Sequence, residues 1–375
     1  MQYILNLILV LCLVATTLAT TGCGKKEAVR DEVGGGETPT GIATMALNET
    51  NLTRIMESHS KAEVKPTPWA SWWFPYGSNG IATAADKYDQ VYLNYLRSRG
   101  ADVSNYQPAA AWERRRHSPS WPTFESWFGH CNGWSAAALH YKEPRETKTI
   151  DGVSFSVGDQ KALLAESWME FSGDFVGKRV NDKGDFSSAA YWDVAPAQFT
   201  LILANVVSGG KRGLVFDRYS GDQIWNQPLV AYAFDPIRPE DYLGAHPSAP
   251  DVYRVDMTAT IYWAEDRVGR EDITPAFDIE KPNHKYFNAR KLKYELWLDG
   301  PIEFDANGKM ISSGDILVTR EDDRYVGGMW KHAADTASML NGHPDYMWVP
   351  FAIQGSTGYK NERLDDEWIR KNIAN

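Results

Sequence analysis

Cys131 is the residue of this sequence best placed to do covalent chemistry. Three cysteines occur, at positions 12, 23 and 131. The first two fall within or at the end of an N-terminal export segment, so Cys131 is left alone in the folded part and no intramolecular disulfide can form there. It stands in Ser126-Trp127-Phe128-Gly129-His130-Cys131-Asn132-Gly133-Trp134-Ser135-Ala136-Ala137-Ala138-Leu139. A glycine-containing turn there runs into an alanine-rich stretch of high helix propensity. The sulfur is thereby placed at a helix N-terminus, where free N–H groups and the helix dipole favour the thiolate, the nucleophilic form. The plainer alternative is a small core residue under Trp134. Neither nearby histidine suits as its base: His130 is adjacent and must point elsewhere, and His140 lies about two and a half turns along the same helix.

A nucleophile at a helix end needs partners from other elements, and the apolar pattern supplies them. Tyr88, Val91, Tyr92 and Tyr95 share one face of a helix expected over Asp86–Arg97, with Gly100 just past its end. A second helix is expected from Asp159 to Phe171, capped by the aspartate. After it the period changes to that of strands. Gln198–Val207 and Gly213–Asp217 read as a hairpin through Ser208-Gly209-Gly210-Lys211-Arg212, and Leu229–Phe234, Tyr253–Trp263 and Lys291–Leu298 follow as further strands. Ile302–Ile311 folds back through Asp305-Ala306-Asn307-Gly308, an acidic turn without the regular oxygen spacing of a calcium loop. The basic run Arg114-Arg115-Arg116-His117 reads as a solvated face. The expected class is α+β: a cysteine at a helix N-terminus packed on an antiparallel sheet, in the order of the papain and transglutaminase core.

Composition narrows the setting. The 375 residues carry 39 Lys and Arg against 49 Asp and Glu, a net charge of −10 that leaves no basic field for phosphates. Nucleic acid is therefore excluded as the main partner. Fifteen tryptophans exceed what a core of this size needs, so some are expected to line a cleft. The apolar run Ile4–Leu18 is too short for a comfortable membrane span and fits a signal peptide over residues 1–22. Ala19-Thr20-Thr21-Gly22-Cys23 resembles a bacterial lipobox, with Cys23 as the lipidated residue. Because Gly24 is not the aspartate of inner-membrane retention, the expected place is an outer-membrane lipoprotein facing the periplasm or cell surface. Its only membrane contact would then be the lipid. Residues 23–66, rich in Gly, Thr, Lys and Glu, read as lipidated N-terminus and tether with room for one short helix over Leu52–Met56, and residues 67–375 as one folded domain opening on Trp69-Ala70-Ser71-Trp72-Trp73-Phe74-Pro75-Tyr76.

Five segments together resemble one known family. Ile224-Trp225-Asn226-Gln227-Pro228-Leu229-Val230-Ala231-Tyr232 is similar to the elicitor peptide of the transglutaminase elicitor family, the secreted transglutaminases of plant pathogens and their bacterial relatives. His130–Ala138 resembles its active-site cysteine segment and Gly152–Glu166 its next helix, with flanking matches at Trp72–Tyr76 and His343–Pro350. The resemblance implies acyl transfer from a peptide glutamine or amide. Protein or peptide substrates, cell-wall peptides among them, would be the partners. It implies Cys131 as nucleophile and Asp217 as third member of the site. Thr200 stands where the family's catalytic histidine is expected, a residue unable to relay a proton near neutral pH. His343 and His332 are the alternative imidazoles, and Trp225 is placed to pack over the site or donate its indole N–H to an oxyanion. No cofactor is implied; calcium is open, with no motif for it. A Thr200 at the site would make the protein an impaired member that binds peptide or glycan. A cell-wall amidohydrolase or cysteine peptidase is the other alternative. Without an imidazole partner, the Cys131 thiol is expected to titrate near 8.

Overall fold

The alternating strands Tyr253–Trp263 and Lys291–Leu298 become the two longest strands of the molecule, paired without a break from Tyr253 opposite Leu298 to Ala264 opposite Phe287. In this computed structural model residues 47–177, 194–218, 223–317, 327–331 and 343–374 are described. The export segment, Cys23 and His332 lie outside them. In chain order the helices are α1 (Leu52–Ser58), α2 (Ala82–Ser98), α3 (Ala109–Arg116), α4 (Cys131–His140), α5 (Val157–Ser167), α6 (Pro196–Ile202) and α7 (Asp366–Asn372). The strands are β1 (Lys61–Glu63), β2 (Lys148–Ile150), β3 (Val153–Phe155), β4 (Phe171–Gly177), β5 (Val215–Asp217), β6 (Asn226–Phe234) and β7 (Tyr242–His246). They continue with β8 (Ala249–Ala264), β9 (Phe287–Leu298), β10 (Glu303–Phe304), β11 (Met310–Ser312), β12 (Gly328–Trp330) and β13 (Tyr346–Ile353). No described helix is long and apolar enough to cross a membrane.

The main sheet runs β12-β9-β8-β6-β5-β13-β4, with β1 added to β6 and β7 to β8, and every pairing is antiparallel. Successive side chains of a strand point to opposite faces, so the sheet separates two cores. Val215, Val230 and Trp348 join α2, α4, α5 and α7 on one face, while Phe216, Leu229 and Met347 join α1 and α6 on the other. Cys131 begins the helix on the first face. α5 packs beside α4 and starts at Ser156, whose hydroxyl accepts from the Asp159 N–H while the Asp159 carboxylate accepts from the Ser156 N–H. Asp159 is thus the third helical residue of a capping box, and the cap itself is Ser156.

Two expectations are corrected. Gln198–Val207 is helical: α6 passes into a π-helical turn over Leu203–Gly209. Pro196 opens α6 with its fixed φ, and the Gln198 side chain accepts from the Ala195 N–H. The run is buried almost all round, and an all-apolar segment carries no period to distinguish a helix from a buried strand. The second correction concerns where folding starts. Leu52 and Ile55 of α1 are fully buried and β1 pairs with Ala231–Ala233, so the folded part includes at least residues 51–66 of the supposed tether. At the acidic turn, Asp305 accepts the N–H groups of Asn307 and Lys309, which closes the β10–β11 hairpin.

Candidate active site

The segment Trp69–Tyr76 wraps over the cysteine helix. Trp134 donates its indole N–H to the Trp69 carbonyl (3.1 Å), and the His130 N–H donates to the Trp73 carbonyl (2.8 Å). From the sheet side, the Ser135 hydroxyl donates to the Asn226 carbonyl (2.9 Å), locking α4 against β6. Cys131 is the first residue of α4 and only 4% exposed. Its S–H points to the Ile224 carbonyl at 3.8 Å, and the Asn226 side-chain amide donates to the sulfur at 3.9 Å. The amide is fixed from behind, because its Oδ1 accepts from both the Tyr346 hydroxyl (3.0 Å) and the Trp348 indole (3.1 Å). With the oxygen so occupied, Nδ2 is turned to the sulfur. Tyr76, Trp121, Trp127, Phe128, Met169 and Tyr359 surround the opening above Cys131 and Asn132.

Asp217 meets this arrangement through the strand register, which sets it opposite Asn226. Its Oδ1 accepts the Trp225 N–H at 2.9 Å and so shapes the 224–226 segment that touches the sulfur. Trp225 packs edge-on against Trp73, with centroids 5.4 Å apart, and donates its indole N–H to Gln223. The Arg218 and Arg267 guanidiniums lie over its ring, and the indole N–H expected to serve an oxyanion is directed to Gln223. Asp266 follows the end of β8 and accepts from the Gln227 amide at 2.8 Å. Burial and the adjoining Glu265 carboxyl push Asp266 up to about 7. Burial pushes the Cys131 thiol up to about 12, against the Asn226 donation and together with the charges of Asp266 and Asp217. The helix terminus is outweighed by desolvation, and the expectation of a thiol near 8 is corrected.

Thr200 is corrected as well. It lies in α6 on the opposite core, fully buried, with its hydroxyl hydrogen-bonded to the Pro196 carbonyl (2.9 Å) and the Tyr294 hydroxyl (3.0 Å). The sheet stands between it and the cysteine helix. Thr200→His should therefore leave any acyl transfer unchanged while lowering stability by about 1–3 kcal/mol through overpacking. Gained activity in an amine-incorporation assay would show that the site is misplaced. Among the described residues no imidazole is a hydrogen-bond partner of Cys131. The His140 Nε2–H donates to the Pro350 carbonyl of β13 (3.1 Å), and His343 stacks on Trp330 at 4.6 Å. His130 turns its ring away, to the Phe74 carbonyl (2.8 Å) and Glu166 (2.7 Å).

That turn exposes a feature the sequence did not announce. Glu113, His117, His130 and Glu166 converge as a fully buried group directly behind the nucleophile. Burial opposes ionisation of Glu166, but the imidazoles of His117 and His130 hold its carboxyl down, at about 2. Burial lowers His117, and the two carboxylates reverse this and raise it to about 9. These four side chains are the described group able to hold a metal ion. Sequence reasoning also missed Asn226, Gln227 and Asp266. The first two stood in view within Ile224–Tyr232, but only the pairing of β5, β6 and β8 brings them to one place.

The fold and the cysteine site define a transglutaminase-like α+β protein. Over nearly its whole length the chain is similar to the crystal structure of the GP42 transglutaminase from Phytophthora sojae, with a TM-score of 0.56 at 18% identity, covering 90% of this chain and 99% of that one. Comparison with curated proteins finds no match. Residues 99–241, which hold Cys131, Asp217 and Trp225, match the family described as Transglutaminase elicitor. That match spans less than half of the chain, and with the structural likeness it supports the transglutaminase elicitor family.

Proposed function

We propose that the protein is a transglutaminase-like acyltransferase that takes a peptide glutamine or amide at Cys131. The observation carrying this reading is the joint placement of Cys131 at a helix N-terminus and the Asn226 amide against its sulfur, beneath an aromatic opening. In the proposed reaction the Cys131 sulfur attacks the carboxamide carbon, and the proton it gives up is the one the leaving nitrogen takes. The resulting oxyanion is held by the Asn226 amide and the free N–H groups of the α4 terminus. Collapse expels ammonia, which takes up a proton, and leaves a thioester; an amine or water then takes the acyl group and the thiol is regenerated. Asp217 acts as a positioning residue through the Trp225 N–H. Export and anchoring through Cys23 belong to the same proposal, and sedimentation of the processed protein with membranes tests them.

A second reading has its own support. With burial holding Cys131 protonated and no imidazole among its described partners, the protein would bind peptide in the aromatic opening with little or no turnover. Incorporation of a fluorescent primary amine into a glutamine peptide separates the two. Under the first, wild type labels the peptide and Cys131→Ala lowers the rate by at least about 10³-fold, since no other group can carry the acyl. Absence of label and of a thioester mass on wild type, with peptide binding equal in both proteins, overturns it in favour of the second.

A further inference from the structure

Next to the nucleophile, in the buried core, four ligand atoms face one another. The donor atoms of Glu113, His117, His130 and Glu166 all lie within 4.8 Å of one another. The Nδ1 of His117 is 3.1 Å from Glu113 Oε2 and 3.5 Å from Glu166 Oε2; the Nε2 of His130 is 2.7 Å from Glu166 Oε2 and 3.8 Å from Glu113 Oε2. Ligands at zinc bond lengths on the corners of a tetrahedron stand about 3.3 Å apart. The observed separations bracket that value. Two of the four atoms, His130 Nε2 and Glu166 Oε2, are fully buried and make no well-formed hydrogen bond, although both are aimed into the cluster.

The surrounding bonds hold each ligand in a binding posture. The His130 Nδ1 faces the Phe74 carbonyl at 2.8 Å, which fixes the proton there and leaves the Nε2 lone pair pointing inward. Glu113 and Glu166 each spend Oε1 on Asn361, one on its side-chain amide (2.7 Å) and the other on its N–H (2.6 Å), and each turns Oε2 to the imidazoles. Tyr76 stacks on His117 at 4.3 Å and fixes that ring. Without an ion the two carboxylates hold a proton on His117; a divalent cation would displace it, and two carboxylates with two neutral imidazoles then carry a charge of −2 that the cation cancels. Two nitrogens with two oxygens, and no sulfur, suit zinc or a similar divalent transition ion rather than calcium, magnesium or a thiophilic metal.

We propose that Glu113, His117, His130 and Glu166 form a closed, four-ligand structural site for a divalent transition metal ion of the zinc type. It would tie α3, α4 and α5 together at the residue that precedes the nucleophile. With all four positions filled by protein, the ion takes no part in bond making. Full-length protein purified without chelator should carry about one zinc ion per chain by mass spectrometry of its metals. Stripping with a strong chelator should lower Tm, and adding Zn²⁺ should restore it. Co²⁺ in place of zinc should give the intense visible bands of a tetrahedral ion. His117→Gln should abolish metal retention, Asn361→Ala should weaken it about 10–100-fold, and His140→Gln should keep it. If a variant fails to fold, the cobalt spectrum and the zinc-dependent Tm of wild type decide. Metal-free protein that shows neither a Tm rise with Zn²⁺ nor a tetrahedral cobalt spectrum overturns the proposal. None of these readouts depends on acyl transfer.

Discussion

Native Cys131 is expected to react with iodoacetamide at pH 7 about 10³-fold more slowly than an ordinary free thiol. Burial moves it from 9.0 to about 12, and each pKa unit removes a factor of ten from the thiolate fraction that does the alkylating. Between pH 8 and 11 the rate should climb about tenfold per unit without levelling, and denaturant should bring it to the value of an unstructured peptide. The sign follows from the groups facing the sulfur. Desolvation and the carboxylates of Asp266 and Asp217 all favour the neutral thiol, while the backbone and side-chain N–H groups of Asn226 and the start of α4 favour the thiolate. Rapid alkylation of folded protein below pH 7 would sink this account and point to a base acting on the sulfur. The same measurement on Asn226→Leu should be slower still, because the side-chain donor to the sulfur is gone and only the backbone N–H of residue 226 remains.

How much of this was legible beforehand depended on whether the information was local. Cys131 at a helix start, the strand pair Tyr253–Trp263 and Lys291–Leu298, and the Asp305–Gly308 turn are set by neighbouring residues, and each is found where propensity and alternation place it. Gln198–Val207 failed because its burial on all sides erases the period, and Thr200 fell with it. The loss was a whole face of the sheet, since a residue assigned to a strand beside the cysteine sits on a helix in the other core. The short helix at Leu52–Met56 was legible, but the burial of Leu52 and Ile55 was hidden by a polar, glycine-rich context that reads as tether. His117 stood at the end of an arginine run, where a solvated reading prevails until Glu113, His130 and Glu166 are seen around it. None of these has a local signature, because each is made by contacts distant in sequence.

The other large effect is expected from adding a single methyl group to the cysteine helix. Gly133 faces α5 so closely that a Cβ would stand 2.1 Å from the Ala165 carbonyl oxygen and 3.1 Å from the Met169 sulfur. Ala165 is backbone within a buried helix and cannot step aside as a side-chain tip could. Helix propensity alone predicts a gain of about 1 kcal/mol for alanine over glycine here. The clash works against it, and overpacking costs about 1–3 kcal/mol or more. The clash should win, so Gly133→Ala is expected to lower unfolding free energy by about 2 kcal/mol in denaturant titrations, net of propensity. Gly355→Ala, with open space around the added atom, should change it little. Because α4 also carries Cys131, forcing it away from α5 loosens the cover over the sulfur, and alkylation of Gly133→Ala should be faster than that of wild type under native conditions. A variant as stable as wild type would mean that α4 and α5 do not approach as described, and the placement of Cys131 against Asn226 would lose its support.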